Sequence, residues 1–233
     1  MTKSKLERFA EMKTFPNVIE PSFQEIFQKD YQYKGFWSSR FFQNHQPLIL
    51  ELGCGKGEYT VNLAKENPDK NYLGIDIKGA RMWKGAKKAL AKGIDNAAFL
   101  RTRIDFIQSF FAEGEVESIW VTFPDPQPKK AKKRLISSKF LNTYRTFTTQ
   151  DTLFHLKTDN TELFEYMKQL IEKNQLPVKN LSEDVHKTSE AALAPVRNIR
   201  TFYEQQLIDM DKSTKDVCFQ IDHTNELEET DET

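Results

Sequence analysis

Leu48-Ile49-Leu50-Glu51-Leu52-Gly53-Cys54-Gly55-Lys56-Gly57 is the stretch on which the predicted fold depends. Its apolar first half predicts a buried strand, and glycine at every second position from 53 to 57 predicts a sharp turn into a helix. Glycine also leaves no side chain between the backbone and a bound molecule. Because ligands of parallel α/β sheets bind at the carboxyl ends of the strands, this turn is the first candidate for a cofactor site.

From Leu48 onward, predicted strands and helices alternate along the chain. The predicted strands are Leu48–Leu52, Asn71–Ile77, Ala97–Leu100, Ser118–Phe123 and Thr152–Lys157, and the predicted helices are Tyr59–Glu66, Ala80–Lys92, Ile104–Phe111, Ser138–Phe147 and Asn160–Asn174. Two later strand-like runs, Arg200–Asp211 and Asp216–Asp222, predict a hairpin. The pattern predicts an α/β fold with a Rossmann-like, mostly parallel, doubly wound sheet and an antiparallel strand pair at its C-terminal end.

The length of 233 residues fits one domain with additions at its ends. We expect an N-terminal arm and aromatic-rich flank over residues 1–42, the main domain over residues 43–223, and a tail over residues 224–233. Lys plus Arg and Asp plus Glu balance at 34 each, but five acids lie in the last eight residues. This composition predicts a solvated, frayed and disordered tail, and it leaves the body with an excess of basic residues.

The remaining composition restricts the classes of protein. The two cysteines, Cys54 and Cys218, match no zinc or disulfide spacing, and the four histidines show no metal-ligand spacing, so no metal is predicted. No signal peptide is evident, and no run approaches 18 apolar residues, so we expect no membrane association and a cytoplasmic location. The sequence leaves open whether the protein is a monomer or a homodimer.

Two acids beside the glycine turn indicate the chemistry of its ligand. Glu51 precedes Gly53 and Gly55, and a carboxylate there disfavours a diphosphate but suits a ligand with an amino or sulfonium group, as in S-adenosylmethionine. Asp76 ends the second strand, where an acid can accept hydrogen bonds from both ribose hydroxyls. The Gly-x-Gly-x-Gly spacing and Glu51 argue against a nicotinamide dehydrogenase. A tight turn without a ligand is the structural alternative, as is a surface carboxylate for Asp76.

The fourth strand ends in Thr122-Phe123-Pro124-Asp125-Pro126, which holds a carboxylate between two prolines. Because the prolines restrict the backbone, Asp125 is predicted to be fixed for substrate positioning or proton handling, with a turn-capping role as the alternative. A basic run follows, with no acid between Asp125 and Asp151: Lys129, Lys130, Lys132, Lys133, Arg134, Lys139 and Arg145. Such a run is usually a solvated face, but beside a transfer site it favours binding of nucleic-acid phosphates.

Several motifs together resemble those of the bacterial tRNA (guanine-N7)-methyltransferases, which are class I S-adenosylmethionine-dependent enzymes. The motifs occur in order as Glu-Leu-Gly-Cys-Gly-Lys-Gly, Tyr-Leu-Gly-Ile-Asp, Thr-Phe-Pro-Asp-Pro with its trailing lysines, Lys-Thr-Asp-Asn and Thr-x-Tyr-Glu. The resemblance spans residues 48–222 and implies methyl transfer to N7 of a guanine in the variable loop of tRNA. Two positions depart from the family pattern: Gln127 stands where tryptophan is common, and Arg103 where an acid often follows the third strand.

The resemblance also implies roles for individual residues. Glu51, Gly53, Gly55, Asp76 and Asp125 are expected to contact S-adenosylmethionine, and Asp125 is also the expected active-site acid. The expected tRNA contacts are Lys129, Asp159, Thr201, Phe202, Tyr203 and Glu204. Two alternatives stay open at this point: a methyltransferase of another substrate, and a tRNA-binding protein with a vestigial cofactor site.

Overall fold

The computed structural model describes residues 3–230, and the chain divides into two compact units, one ending at Val116 and one beginning at Glu117. The first unit holds four strands: β1 (Val18–Ile19), β2 (Leu48–Leu52), β3 (Asn71–Asp76) and β4 (Ala97–Arg101). They lie in the order β1-β4-β3-β2, and the pairings of β1 with β4, β4 with β3 and β3 with β2 are parallel. All five residues of β2 are buried, including the acid Glu51 among its four apolar residues.

Two helices of the first unit match the predicted helices that follow β2 and β3. The helices of this unit are α1 (Lys5–Met12), α2 (Phe23–Ile26), α3 (Glu58–Glu66) and α4 (Gly79–Ala91), with a π-helix over Trp37–Phe41 and a 3₁₀ helix over Ile104–Ser109. The 3₁₀ helix replaces the predicted α-helix Ile104–Phe111. In the aromatic flank, Trp37 is fully buried and its Nε1 donates to the carbonyl of Phe110 at 2.7 Å. The aromatic flank therefore packs within this unit.

The second unit contains the antiparallel part of the fold. Its strands are β5, which begins at the unit boundary (Val116–Thr122), β6 (Leu153–Thr158), β7 (Val178–Ser182) and β8 (Lys215–Phe219), in the order β5-β6-β8-β7. β5 and β6 pair in parallel, whereas β8 pairs antiparallel with both β6 and β7. The mostly parallel sheet with antiparallel pairing near the C-terminus is confirmed, but the predicted hairpin partner Arg200–Asp211 is wrong.

The helices of the second unit explain that error. They are α5 (Ser138–Tyr144), α6 (Thr161–Lys173), α7 (Ala194–Asn198) and α8 (Phe202–Asp209), with 3₁₀ turns at Ala131–Lys133 and Ala191–Leu193. α8 occupies the run that was predicted to be a strand, and Thr201 caps it by accepting from the Glu204 amide at 3.1 Å. A Thr-x-x-Glu sequence is a helix-start signal, which outweighs the strand preference of the two aromatic residues between its ends.

The acidic tail differs from expectation over residues 224–230. Leu227 and Thr230 are buried, and Glu229 accepts from the Tyr166 hydroxyl at 2.6 Å and from the Ser138 hydroxyl at 3.0 Å. This segment packs because one apolar side chain and one carboxylate find partners on α5 and α6, which net charge alone does not reveal. Residues 231–233 lie outside the described part of the chain. Between residues 3 and 230, no helix is long and apolar enough to cross a membrane.

Candidate active site

The glycine turn after β2 adopts the conformation that its sequence predicts. The amides of Gly53 and Cys54 both donate to the Ile75 carbonyl, at 2.8 and 3.1 Å, which ties the turn to the end of β3. Gly57 has φ +66°, and a Cβ there would lie 2.4 Å from the ring of Phe99. Backbone conformation and packing therefore both require glycine at this position.

Gly55 leaves room for close approach to the backbone. Its φ is +55°, and a Cβ built on it would meet no heavy atom nearer than the Gly53 carbonyl oxygen at 3.9 Å. Its amide donates to Asp76 Oδ2 at 2.9 Å, and the other oxygen, Oδ1, accepts from the Lys78 amide at 2.7 Å. A carboxylate offers roughly four lone-pair sites, so Asp76 retains the capacity to accept from two ribose hydroxyls. The residues present thus fit an adenosine-containing cofactor.

Glu51 is 4% exposed and is held by the start of the following helix. Its Oε2 accepts from the Thr60 amide at 2.8 Å and also from the Thr60 hydroxyl. Thr60 is the third residue of α3, where backbone amides lack partners within the helix. Glu51 therefore joins the end of β2 to the start of α3, a contact that the sequence pattern did not indicate.

The thiol between the glycines is held in its neutral form. Burial raises the pKa of Cys54 well above its ordinary value, and the nearby carboxylates of Glu51 and Asp76 raise that pKa further. A neutral thiol is a poor nucleophile. Cys54 therefore lacks the thiolate character of a reactive cysteine.

A cleft of about 600 Å³ opens beside the ends of β3 and β4. Its apolar lining includes Ile77, which is 49% exposed, together with Phe23 and Phe106. Arg101 and Arg103 also line it, but Arg101 pairs with Glu20 at 3.0 Å and Arg103 pairs with Asp105 at 3.1 Å. Both arginines are therefore paired with acids, and apolar side chains form much of the remaining lining of the cleft.

In the second unit, the loop after β5 carries Asp125 in a constrained backbone. Phe123 and Gln127 both have φ +46°, an uncommon value for residues other than glycine. The Phe123 amide donates to the Lys157 carbonyl at 2.7 Å, and the Gln127 amide donates to Asp125 Oδ1 at 3.1 Å. Asp125 is exposed, and a backbone amide sets its orientation. Because this hydrogen bond comes from the main chain, it does not depend on having glutamine rather than the family's tryptophan at position 127.

A second polar group in this unit consists of Asp159 and the first turn of α8. The Tyr203 hydroxyl donates to Asp159 Oδ2 at 3.1 Å, and the Phe123 ring packs edge-on against the Tyr203 ring at 5.3 Å. Burial, followed by the Asp159 charge, raises the pKa of Tyr203, so its hydroxyl remains a donor. Phe202 is 60% exposed and Tyr203 45% exposed. Aromatic faces beside a carboxylate can stack on and hydrogen-bond a base.

Glu204 differs from its neighbours because its side chain is fully buried. It pairs with Lys157 at 2.7 Å, and neither side chain is exposed. The expected direct contact between Glu204 and substrate does not match this position. Asp216 lies opposite Lys157 in the β6–β8 register, and burial raises its pKa to about 7 although Lys157 lowers it.

The basic run separates into exposed and buried members. The side chains that are exposed are those of Lys129, Lys130, Lys132, Lys133 and Lys139. Arg134 is only 4% exposed: its Nε donates to the Pro126 carbonyl, its guanidinium pairs with Glu162 at 2.9 Å, and it lies over the Tyr166 ring. Arg134 was predicted to belong to the phosphate-binding run, but it instead anchors the loop that carries Asp125.

No group of three or more metal-ligating side chains is arranged to hold an ion among residues 3–230.

Comparisons of the sequence with known proteins identify a family of methyltransferases. A family model described as "Putative methyltransferase" matches residues 45–217. The tRNA (guanine-N(7)-)-methyltransferase of Bacteroides fragilis is 47% identical over 99% of this chain and 91% of that protein. The protein of the same name from Christiangramia forsetii is 47% identical over 94% of this chain and 99% of its own length.

Solved structures agree on the architecture. The 30S ribosomal A1408 methyltransferase from an uncultured bacterium matches with a TM-score of 0.56 at 15% identity, over 78% of this chain and 90% of that one. This similarity confirms the predicted Rossmann-like class I methyltransferase fold.

Proposed function

Because the chain belongs to the tRNA (guanine-N(7)-)-methyltransferase family, we propose that its target is a guanine in the variable loop of tRNA, at position 46. The activity itself, transfer of a methyl group from S-adenosylmethionine to guanine N7 in tRNA, follows from family membership. The observation that carries the assignment is 47% identity over 99% of the chain. The residue roles below are part of the proposal.

The cofactor is bound by residues of the first unit. Asp76 accepts from the ribose hydroxyls, and the open backbone at Gly53 and Gly55 lets the cofactor approach closely. Glu51 places negative charge near the amino and sulfonium groups while it fixes the start of α3. When bound, S-adenosylmethionine supplies an electrophilic methyl group on a positively charged sulfur.

The chemistry at guanine requires alignment rather than deprotonation. N7 has a lone pair that is available at neutral pH, so no general base is needed before it attacks. Orienting two reactants can lower a barrier by up to about 7–11 kcal/mol in the best intramolecular cases. The residues that hold the base therefore determine the rate.

Those residues lie in the second unit. Asp125 and Asp159 accept hydrogen bonds from the N1 and N2 donors of guanine, and their charge offsets the positive charge that methylation creates on the ring. Tyr203 orients Asp159 and, with Phe202, offers aromatic surface to the base. Thr201 contributes by capping α8, and Lys129 contacts the RNA backbone.

The exposed lysines should bind tRNA through its phosphates. Replacing Lys132 and Lys133 with alanine is expected to weaken tRNA binding and to reduce the slope of log K against log salt by about 1.4–1.8, since each lost phosphate contact removes roughly 0.7–0.9. Binding is measured by filter retention at several salt concentrations. The control replaces the exposed Lys65 and Lys92. An unchanged slope in the Lys132 and Lys133 variant would show that this run is only a solvated face.

The position of the methyl group tests the proposed target. We expect methyl-labelled S-adenosylmethionine and bulk tRNA to give labelled 7-methylguanosine, located by nuclease digestion in the variable loop. A label at another guanine would contradict the position, and the absence of label from tRNA would contradict the function.

We also propose that the protein acts in the cytoplasm as a monomer or homodimer. Both cysteines are free and buried, which is consistent with a reducing compartment. Cell fractionation and light scattering test these two points.

A further inference from the structure

The Lys157 ammonium group is surrounded by acceptors in the interior of the second unit. Its Nζ donates to the carbonyls of Val196 and Ile199 and to the Glu204 carboxylate, whose Oε1 lies 2.7 Å and Oε2 2.8 Å away. Both charged side chains are 0% exposed. Burial lowers the pKa of Lys157, and the Glu204 charge opposes that shift. This ion pair is therefore a fully desolvated contact rather than a surface salt bridge.

The same contacts fasten three separate segments together. Lys157 lies on β6, the two carbonyls belong to α7 and the residue after it, and Glu204 lies in the first turn of α8. His186 Nε2 lies 2.9 Å from Glu204 Oε1, so the carboxylate is held by a second group from the chain before α7. Removing Lys157 would leave the buried Glu204 carboxylate without its ammonium partner, which is strongly unfavourable.

The ion pair lies directly beside the residues proposed to hold guanine. Asp159 follows Lys157 by two residues, and Tyr203 precedes Glu204 by one. Neighbouring residues on a helix point about 100° apart, so turning Glu204 inward leaves Tyr203 facing outward, where its hydroxyl reaches Asp159 at 3.1 Å. The buried ionic contact thus joins β6 to α8, and the exposed polar contact joins the first residue after β6 to the same helix.

We propose that Lys157 and Glu204 are positioning residues for guanine recognition: their buried ion pair sets α8 so that Tyr203 meets Asp159, and Glu204 does not touch the RNA. This inference rests on the proposed function, because it assumes that Asp159 and Tyr203 hold the base. It gives the Thr-x-Tyr-Glu motif two separate tasks. Tyr203 faces the substrate, while Glu204 fixes the helix that carries it.

A double-mutant cycle tests whether Glu204 acts through Lys157. The variants are Lys157→Met, Glu204→Gln and the two combined, each measured for KM and kcat with tRNA. We expect Lys157→Met to raise KM about tenfold or more, and the double variant to recover part of that loss because the Glu204 carboxylate that Lys157→Met leaves unpaired is then also absent. Losses that multiply would mean that the two residues act independently, and they would overturn the inference.

A second cycle distinguishes positioning from general stability and does not need Lys157→Met to fold. Tyr203→Phe is measured in the wild-type and Glu204→Gln backgrounds at a temperature where both are folded. If Glu204 sets the Tyr203–Asp159 contact, removing the hydroxyl should raise KM in the wild type but cost at most about twofold in Glu204→Gln. An equal cost in both backgrounds would overturn the proposal.

Two controls separate this inference from the proposed function. Asp209→Asn changes an exposed acid on the same helix and should leave KM unchanged. Calorimetric affinity for S-adenosylmethionine should stay within about twofold in every variant, since none of the substituted residues is proposed to bind the cofactor. If the wild type fails to methylate guanine in tRNA, the proposed function fails; if it succeeds while the cycles show no coupling, only the positioning role fails.

Discussion

Replacing Asp125 with alanine is expected to lower kcat for tRNA methylation by about 10²–10³, whereas affinity for S-adenosylmethionine should fall by less than about tenfold. Loss of one preorganised electrostatic contact at a reacting centre typically has an effect of this size. Asp125 is exposed and held by the Gln127 amide, so removing it should cost little stability. Single-turnover methyl transfer and calorimetric binding of the cofactor measure the two quantities.

Two further variants make this result specific. Asp125→Asn keeps an acceptor for the Gln127 amide but removes the charge, so it separates orientation of the loop from electrostatic stabilisation of the methylated base. Asp151→Asn alters another exposed acid of the same unit and should leave turnover unchanged. Turnover close to that of the wild type in Asp125→Ala would rule out the proposed role.

Gly57→Ala is expected to destabilise the protein by about 2–5 kcal/mol. The left-handed conformation at φ +66° costs alanine roughly 1–2 kcal/mol, and relieving the 2.4 Å approach of its Cβ to Phe99 costs about 1–3 kcal/mol more. The strain falls on the turn that presents Gly53 and Gly55, so cofactor affinity should decrease as well. Urea unfolding and calorimetry measure the two effects.

Gly93→Ala provides a closely matched control. Gly93 has φ +62°, but a Cβ there would meet no atom within 4 Å, so its substitution isolates the conformational cost from the packing cost. We expect this variant to lose only about 1–2 kcal/mol and to bind the cofactor normally. Equal destabilisation of the two variants would mean that the contact with Phe99 contributes nothing.

The sequence predicted the parts of the fold that depend on local patterns. β2 is a buried apolar run, and the glycines after it leave few alternatives to a sharp turn. α8 was missed because Thr201-Phe202-Tyr203 contains a β-branched and two aromatic residues, which favour strands, while the capping signal comes from the acid that follows. β7 was also missed: Val178 and Leu181 are 43% exposed, so this strand has no continuous buried face to produce a recognisable pattern.

Residues of the candidate site likewise fall into those that local sequence patterns predict and those that depend on tertiary packing. Asp76, Asp125 and Asp159 could be predicted as site residues from the sequence because each lies at or after the end of a recognisable strand and belongs to a motif. The contacts of Glu204 with Lys157, 47 residues away, depend on tertiary packing, as does the contact of Glu51 with Thr60. Without an alignment, nothing in the residue types distinguishes a glutamate that binds substrate from one that is buried against a lysine.

Asp76 accepts hydrogen bonds from the amides of Gly55 and Lys78, and in the role that we propose for it this carboxylate is shared between the protein and the cofactor. Ordering of these loops strengthens cofactor binding by some free energy. Because coupling between two equilibria is reciprocal, cofactor binding stabilises the ordered loops by the same free energy. A lower affinity in an Asp76 variant would therefore combine a lost ligand contact with a loosened binding loop. The affinity of the cofactor and the rigidity of its loops are two measures of one equilibrium.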